Sequence, residues 1–277
     1  FMPGTGTVFI EGLAQQKMNV TSLERFYNFT MNNTGGLELI GTSGIEITQK
    51  LTLTRGNIIS DVGKEVTLIN TTASIALSGG SAISFVDGPL RKRIISGQSF
   101  NFPVGNGTRL GRIELRNTSV TPSPNFWTVQ YVSQNPNDDG YLTDPETNLT
   151  APLTAVSDNE YWIVNRPNPG SSANIRLRWD SNSFFSYTSN ATLRPLLRVV
   201  EYEGGAEQKW TQRGQSVSGT ATSGIVATTT PVTQNDYIFT IGVIGVSAAI
   251  ADLSPESICD NEETTSIPVN LTGKPPW

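Results

Sequence analysis

From Gly6 to Ile95 apolar and polar residues alternate in short runs: TVFIEG (7–12), FYNFTMN (26–32), LELIG (37–41), GIEIT (44–48), KLTLT (50–54), EVTLIN (65–70), SIALS (74–78) and AISFV (82–86). A period of two gives each run one apolar face, which predicts strands that bury one side. Turn signals separate the runs: Asn33-Thr34-Gly35-Gly36, Arg55-Gly56-Asn57, Asp61-Val62-Gly63 and Gly79-Gly80. The similar texts IEIT, LTLT, VTLI and IALS predict coils of about 20 residues stacked as a β-solenoid, whose rungs share one continuous core. An ordinary sandwich with many hairpins is the alternative.

After Ser99 the texture changes. The runs lengthen and carry aromatic residues: NFPVG (101–105), RIELRN (112–117), FWTVQYVS (126–133), EYWIVNR (160–166), NIRLRW (174–179), LLRVVEYE (196–203), GIVAT (224–228) and DYIFTIGV (236–243). Two long connections, 134–158 and 180–195, interrupt them. The expectation is a β-sandwich of about eight strands. In NIRLRW, Ile175, Leu177 and Trp179 share one face while Arg176 and Arg178 share the other, as in a sheet with one wet side. In FWTVQYVS, Trp127 and Tyr131 fall on a core face. A linker follows at Ala251–Pro255, and ICDNEETTSIPVNLTGKPPW then reads as the start of another β-domain. The predicted organisation is all-β: residues 1–98 a β-solenoid-like unit, 99–250 a β-sandwich, and 251–277 a linker with the first strand of an incomplete Ig-like domain. The chain reads as an internal fragment of something longer.

Composition narrows the chemistry. The 277 residues include no histidine, so Ser-His-Asp and Cys-His sites and His-ligated zinc are excluded. The single cysteine, Cys259, has no partner for an internal disulfide. Charged residues are 16% and the net charge is −5, which argues against nucleic acid as a partner, because that needs clustered Lys and Arg. No apolar run reaches the roughly 18 residues of a membrane helix.

The order FYNFTMNNTGGLEL, KLTLTRGNI, FVDGPLRKRI, FPVGNGTRLGRIEL resembles segments of very large cell-surface proteins of Bacteroidetes, and ICDNEETTSIPVNLTGKPPW is similar to the start of their Ig-like or PKD-like repeats. Such proteins are exported through the type 9 secretion system, and many are adhesins, including those that drive gliding motility. The resemblance implies an extracellular, non-enzymatic scaffold or adhesin segment on the bacterial surface. Its partners would be extracellular polysaccharide or another surface ligand, the secretion machinery during export, and neighbouring domains of the same chain. It implies no catalytic residue. Two other classes stand beside it: a carbohydrate-active module that binds or cleaves polysaccharide, and a filament protomer that donates the strand Thr265–Gly273.

Within NPNDDGYLTDPE, Asn135, Asn137, Asp139, Gly140 and Glu146 fall at positions 1, 3, 5, 6 and 12 of a calcium-loop template, which makes calcium a candidate cofactor. The competing reading is a solvated turn. Loop aromatics Phe184, Phe185 and Tyr187, with Trp210, are the candidates for stacking on a glycan. The carboxylate pairs Glu38/Glu46, Asp158/Glu160 and Glu201/Glu203 are tested against glycoside hydrolysis, but strand carboxylates ordinarily line a wet face. Arg91-Lys92-Arg93, with Arg109 and Arg112 nearby, either meets an anionic glycan or a neighbouring domain, or is a charged strand edge that discourages aggregation. The Asn-X-Ser/Thr sequons, from Asn19 to Asn270, follow from a composition rich in Asn and Thr.

Overall fold

The computed structural model of the chain describes residues 4–119, 126–166, 171–183, 185–204, 206–233 and 236–245. Phe184, Cys259 and the whole 251–277 segment, with its expected Ig-like strand and donated edge, lie outside them.

The described chain is all-β and opens with a β-solenoid-like arrangement of about five turns. The first turn is β1 (Thr7–Gly12) and β2 (Gln16–Val20); the second is β3 (Glu24–Asn33) and β4 (Leu37–Gly41); the third is β5 (Ile45–Arg55) and β6 (Ile58–Ile59). The fourth holds β7 (Val66–Leu68), a helical turn α1 (Ala73–Ala76), β8 (Leu77–Gly79) and β9 (Val86–Asp87). The fifth holds β10 (Leu90–Arg93), β11 (Ser99–Phe102) and β12 (Val104–Asn106). Strands β1, β3, β5, β7 and β10 pair in parallel, and so do β2, β4, β6, β9 and β12.

Parallel pairing in register stacks like on like. Phe26, Ile47 and Leu68 are consecutive partners, as are Leu37, Ile58, Val86 and Val104, and all of these side chains are buried. The repeat in the first rungs is set by ladder pairs such as Thr7↔Asn28, Gln16↔Leu37 and Ile45↔Val66. The turns must pack as tightly as the rungs. Gly56 has φ +72°, and a Cβ there would lie 1.7 Å from the carbonyl oxygen of Asn33 in the turn below, so only glycine fits.

Three expectations need correction. GIEIT and KLTLT belong to one strand, β5, because Gln49 continues the extended backbone between them. SIALS is half helical turn and half strand. The basic run is not an edge: β10 is bracketed by β7 on one side and, antiparallel, by Phe126–Val132 on the other. Strand β2, QKMNV, lacks the alternation that marked its neighbours and was not legible as a strand.

The remaining strands are antiparallel, and part of them continue a solenoid sheet. They are β13 (Arg109–Leu110), β14 (Ile113–Asn117), β15 (Phe126–Val132), β16 (Leu153–Val156), β17 (Tyr161–Asn165), β18 (Ala173–Asp180), then helical turn α2 (Phe185–Thr188). Then follow β19 (Leu197–Glu203), β20 (Lys209–Gln212), β21 (Ser216–Gly219), β22 (Ser223–Ala227) and β23 (Asp236–Ile244). The order β1-β3-β5-β7-β10-β15-β17-β23-β19-β20 forms a single path through one twelve-stranded sheet, with β8 and β16 attached beside it. A separate five-stranded sheet runs β11-β14-β18-β22-β21. One hydrophobic cluster spans both halves, from Ile10 and Phe29 to Trp162, Leu177 and Phe239.

Lys92 stands where parallel pairing gives way to antiparallel. It follows Phe26, Ile47 and Leu68 in the inward column and faces Trp127 on β15. Its side chain is 1% exposed. The ammonium donates to the carbonyl oxygens of Asn70 and Arg93 and lies 5.3 Å from the centre of the Phe100 ring. Burial, with Arg93 nearby, lowers its pKa from 10.5 to about 8.

Candidate functional site

The sequence candidates disperse. Asn135 caps a single 3₁₀ turn (Pro136–Asp139) by accepting the amide of Asn137 at 2.9 Å, and Gly140 closes it with φ 84°. Asp139 accepts from the Tyr161 hydroxyl and the Gln134 amide. Asn137 and Glu146 are exposed. Among the described residues no group of three or more Asp, Glu, His or Cys side chains is arranged to hold a metal ion.

Of the aromatic candidates, Phe185 opens α2. Tyr187 is only 8% exposed and belongs to the main core. Trp210 is fully buried, packs on Tyr202 at 5.2 Å and donates its indole N–H to the carbonyl of Leu142 at 3.0 Å. Tyr187 and Trp210 are core rings, and a sugar cannot stack on a ring face already covered by protein. Trp127 and Tyr131 are fully buried, as the alternation of β15 requires.

The carboxylates also sort by position. Glu38 and Glu46 pair one rung down, with Lys17 at 3.1 Å and Arg25 at 2.6 Å. Glu160 and Glu201 are buried rather than on a wet face. Arg213 bridges Glu201 and Glu203, its Nη2 2.7 Å from Glu203.

The charged residues converge instead on a cleft of about 690 Å³, lined from three directions. The β12–β13 hairpin supplies Arg109, the residue just before β17 supplies Glu160, and the end of β18 supplies Arg178 and Asp180; Tyr131 of β15 lies buried behind Glu160. Arg109 Nη2 lies 2.8 Å from Glu160 Oε2 and 3.8 Å from Asp180 Oδ1, and donates to Ser183 Oγ at 3.1 Å. The same Glu160 oxygen accepts the Tyr131 hydroxyl at 2.9 Å. Burial pushes the Glu160 carboxyl up from its ordinary value, opposed by the Arg109 guanidinium and by hydrogen bonds from Ser183 and Tyr131. The Tyr131 hydroxyl is pushed up as well, first by burial and then by the Glu160 charge.

Gly111 makes this contact geometry available. A Cβ at 111 would sit 2.0 Å from the Tyr131 ring, and the Gly111 carbonyl accepts the Trp162 indole N–H at 2.7 Å. The turn is thereby locked against both rings.

Beside Arg109, Arg112 and Arg178 line the cleft. Arg112 immediately precedes β14 opposite Arg178, whose backbone N–H donates to the Arg112 carbonyl at 3.3 Å. One step along, Glu114 faces Arg176 and the two form an ion pair of 3.0 Å. The alternation in RIELRN and NIRLRW carries this information, but only once the two strands are known to be partners.

Chemically, the cleft offers a fixed Arg109–Glu160 pair on one wall, backed by the buried Tyr131 hydroxyl, and two further guanidinium groups on another. No family model, curated protein or solved structure matches this chain.

Proposed function

We propose that this chain is a rigid, non-enzymatic display segment of an extracellular bacterial surface protein, serving attachment. On this reading the second half is a β-sandwich, with the β11-β14-β18-β22-β21 sheet laid over the β15-β17-β23-β19 part of the long sheet. Export through the type 9 pathway, a role in gliding and an origin in Bacteroidetes belong to the same proposal and rest on the sequence resemblance. The observation that carries the reading is the unbroken sheet path from β1 to β20. A flexible joint between halves would interrupt that path. Here β10 and β15 share a four-residue antiparallel ladder, so load passes between halves through backbone hydrogen bonds.

The rival is a carbohydrate-cleaving module, and the cleft with Glu160 and Asp180 favours it. Retaining glycosidases set two carboxyls about 5–5.5 Å apart with the sugar between them. In this cleft a guanidinium bridges them, and Glu160 is 1% exposed. That is the arrangement of a structural ion pair.

Incubating the chain with a panel of extracellular polysaccharides, while measuring retention and new reducing ends, separates the two. Retention without new reducing ends is expected. Release of reducing ends that stops in Glu160→Gln would overturn the scaffold reading.

A further inference from the structure

We infer that Arg112 and Arg178 form a binding site for an acidic saccharide, gripping its carboxylate or sulfate where two recesses meet. This rests on the display-segment reading and names the ligand that the segment would hold.

The first observation is electrostatic. Like charges directly opposite on paired strands destabilise a sheet, and this sheet otherwise avoids them: Glu114 meets Arg176, and Arg116 meets Asn174. Arg112 and Arg178 have no carboxylate within ion-pair distance among the described residues. Arg112 donates to the Gly80 carbonyl, a neutral acceptor, and Nε of Arg178 is buried with no hydrogen-bond partner. Burial and the Arg178 charge both lower the Arg112 pKa. An anion placed between the guanidinium groups would cancel the repulsion and satisfy the free N–H, and arginine presents its donors in a fork that fits a carboxylate or sulfate.

The second observation is shape. Both arginines line the 690 Å³ cleft and also a second recess of about 290 Å³ against Leu77, Gly79 and Pro103. The larger volume falls within the roughly 300–1,000 Å³ of small-ligand sites. The anion would therefore sit mid-site, with room on either side, as a chain of linked units needs.

The third is lining. Asn106, Thr108, Ser133, Asn182 and Ser223 border the larger cleft. Hydroxyl and amide groups of this kind exchange hydrogen bonds with sugar hydroxyls. The acidic groups present, Glu160 and Asp180, are turned onto Arg109, which leaves the Arg112–Arg178 side positive in a chain of net charge −5.

The test is calorimetric titration of the whole chain with tri-galacturonate, the neutral tri-galactose and sodium sulfate. We expect tri-galacturonate to bind, the neutral trimer to bind at least about tenfold more weakly, and sulfate to compete. Arg178→Gln should weaken tri-galacturonate by about tenfold or more, while Arg176→Gln, already paired to Glu114, should not. Competition by sulfate on the unaltered chain keeps the test meaningful should Arg178→Gln misfold. Absence of tri-galacturonate binding, equal binding of the neutral trimer, or equal losses in Arg176→Gln and Arg178→Gln would each overturn the site. Sulfate binding with no trimer binding would mark an inorganic anion site and overturn the saccharide assignment. Each of these outcomes is independent of whether reducing ends appear, so failure here is distinguishable from failure of the display-segment reading.

Discussion

On neighbouring rungs of the solenoid, Arg25 and Glu46 meet at 2.6 Å with side chains 54% and 17% exposed. Beyond the switch to antiparallel pairing, Arg109 and Glu160 meet at 2.8 Å with side chains 15% and 2% exposed. The contact is chemically the same in both places. What differs is how much water each pair has lost. A parallel stack repeats its inward face as columns of Phe, Ile, Leu and Val, so charge, Lys92 at the last rung apart, collects on the outer ladder. The antiparallel half is not repetitive. It carries charged residues such as Glu160 and Glu201 into buried positions, where each must find a particular partner. Regular stacking thus gives many weak, replaceable contacts, and the irregular half gives a few that cannot be removed singly.

The largest effect should come from breaking the buried pair. Glu160→Ala leaves Arg109 with the more distant Asp180 as its remaining carboxylate, and deprives the Tyr131 hydroxyl of its acceptor. Removing one partner of a buried pair costs about 3–5 kcal/mol, read as a lower urea midpoint with little change in slope. Glu160→Gln keeps an acceptor for Tyr131 and should lose less. A loss for Glu160→Ala as small as that of a surface pair would erase the contrast between the two halves.

Lys92 tests the boundary between them, because it is a charge inside a solenoid column. Its pKa is lowered to about 8 by burial. Below that value the ammonium is charged in both folded and unfolded chains, so the burial penalty is fully present. As pH rises from about 8 towards 10.5, the folded chain gives up the proton first, the unfolded chain binds more, and stability rises. The gain is up to about 3 kcal/mol. Tyr131 and Tyr161, whose hydroxyls burial pushes up, act in the opposite direction above pH 10. The informative quantity is therefore the difference between the unaltered chain and Lys92→Met across pH 7–10. Parallel stability curves for the two would place Lys92 in water, contrary to its packing.

The same contrast explains what could be read in advance. Alternation in TVFIEG and LELIG located β1 and β4 to the residue, and the recurring texts in the next rungs implied stacked coils, because in a solenoid the local pattern and the tertiary contact repeat together. The long strands FWTVQYVS and NIRLRW were equally legible. The cleft was not. Arg109 and Glu160 are 51 residues apart, and Arg112 and Arg178 are 66 apart, joined by strand pairings that no local period encodes. Trp210 misled for a related reason: it lies in a short strand, β20, where too few neighbours alternate to show that its face is buried. The calcium template at 135–146 matched residue spacing, but spacing says nothing of the Tyr161 and Gln134 donors that approach Asp139 from elsewhere in the chain.

The smallest effect should belong to the rung pair itself. Arg25 and Glu46 face each other across the β3–β5 ladder, and Arg25 is more than half exposed. Its Coulomb gain is damped by water, and ordering a long arginine side chain offsets part of the remainder. A double-mutant cycle of Arg25→Ala and Glu46→Ala should therefore return about 0.2–1 kcal/mol of coupling. The coupling should shrink in 1 M salt, where the screening length is about 3 Å. The Lys17–Glu38 pair lies in the other parallel sheet and shares no partner with Arg25 or Glu46. Its removal should add to theirs independently. Coupling of about 3 kcal/mol that survives high salt would mean this outer ladder is as dry as the Arg109–Glu160 cluster. Charge on the coils would then have to be counted as structural, and the division between replaceable and irreplaceable contacts would not follow the switch in strand direction.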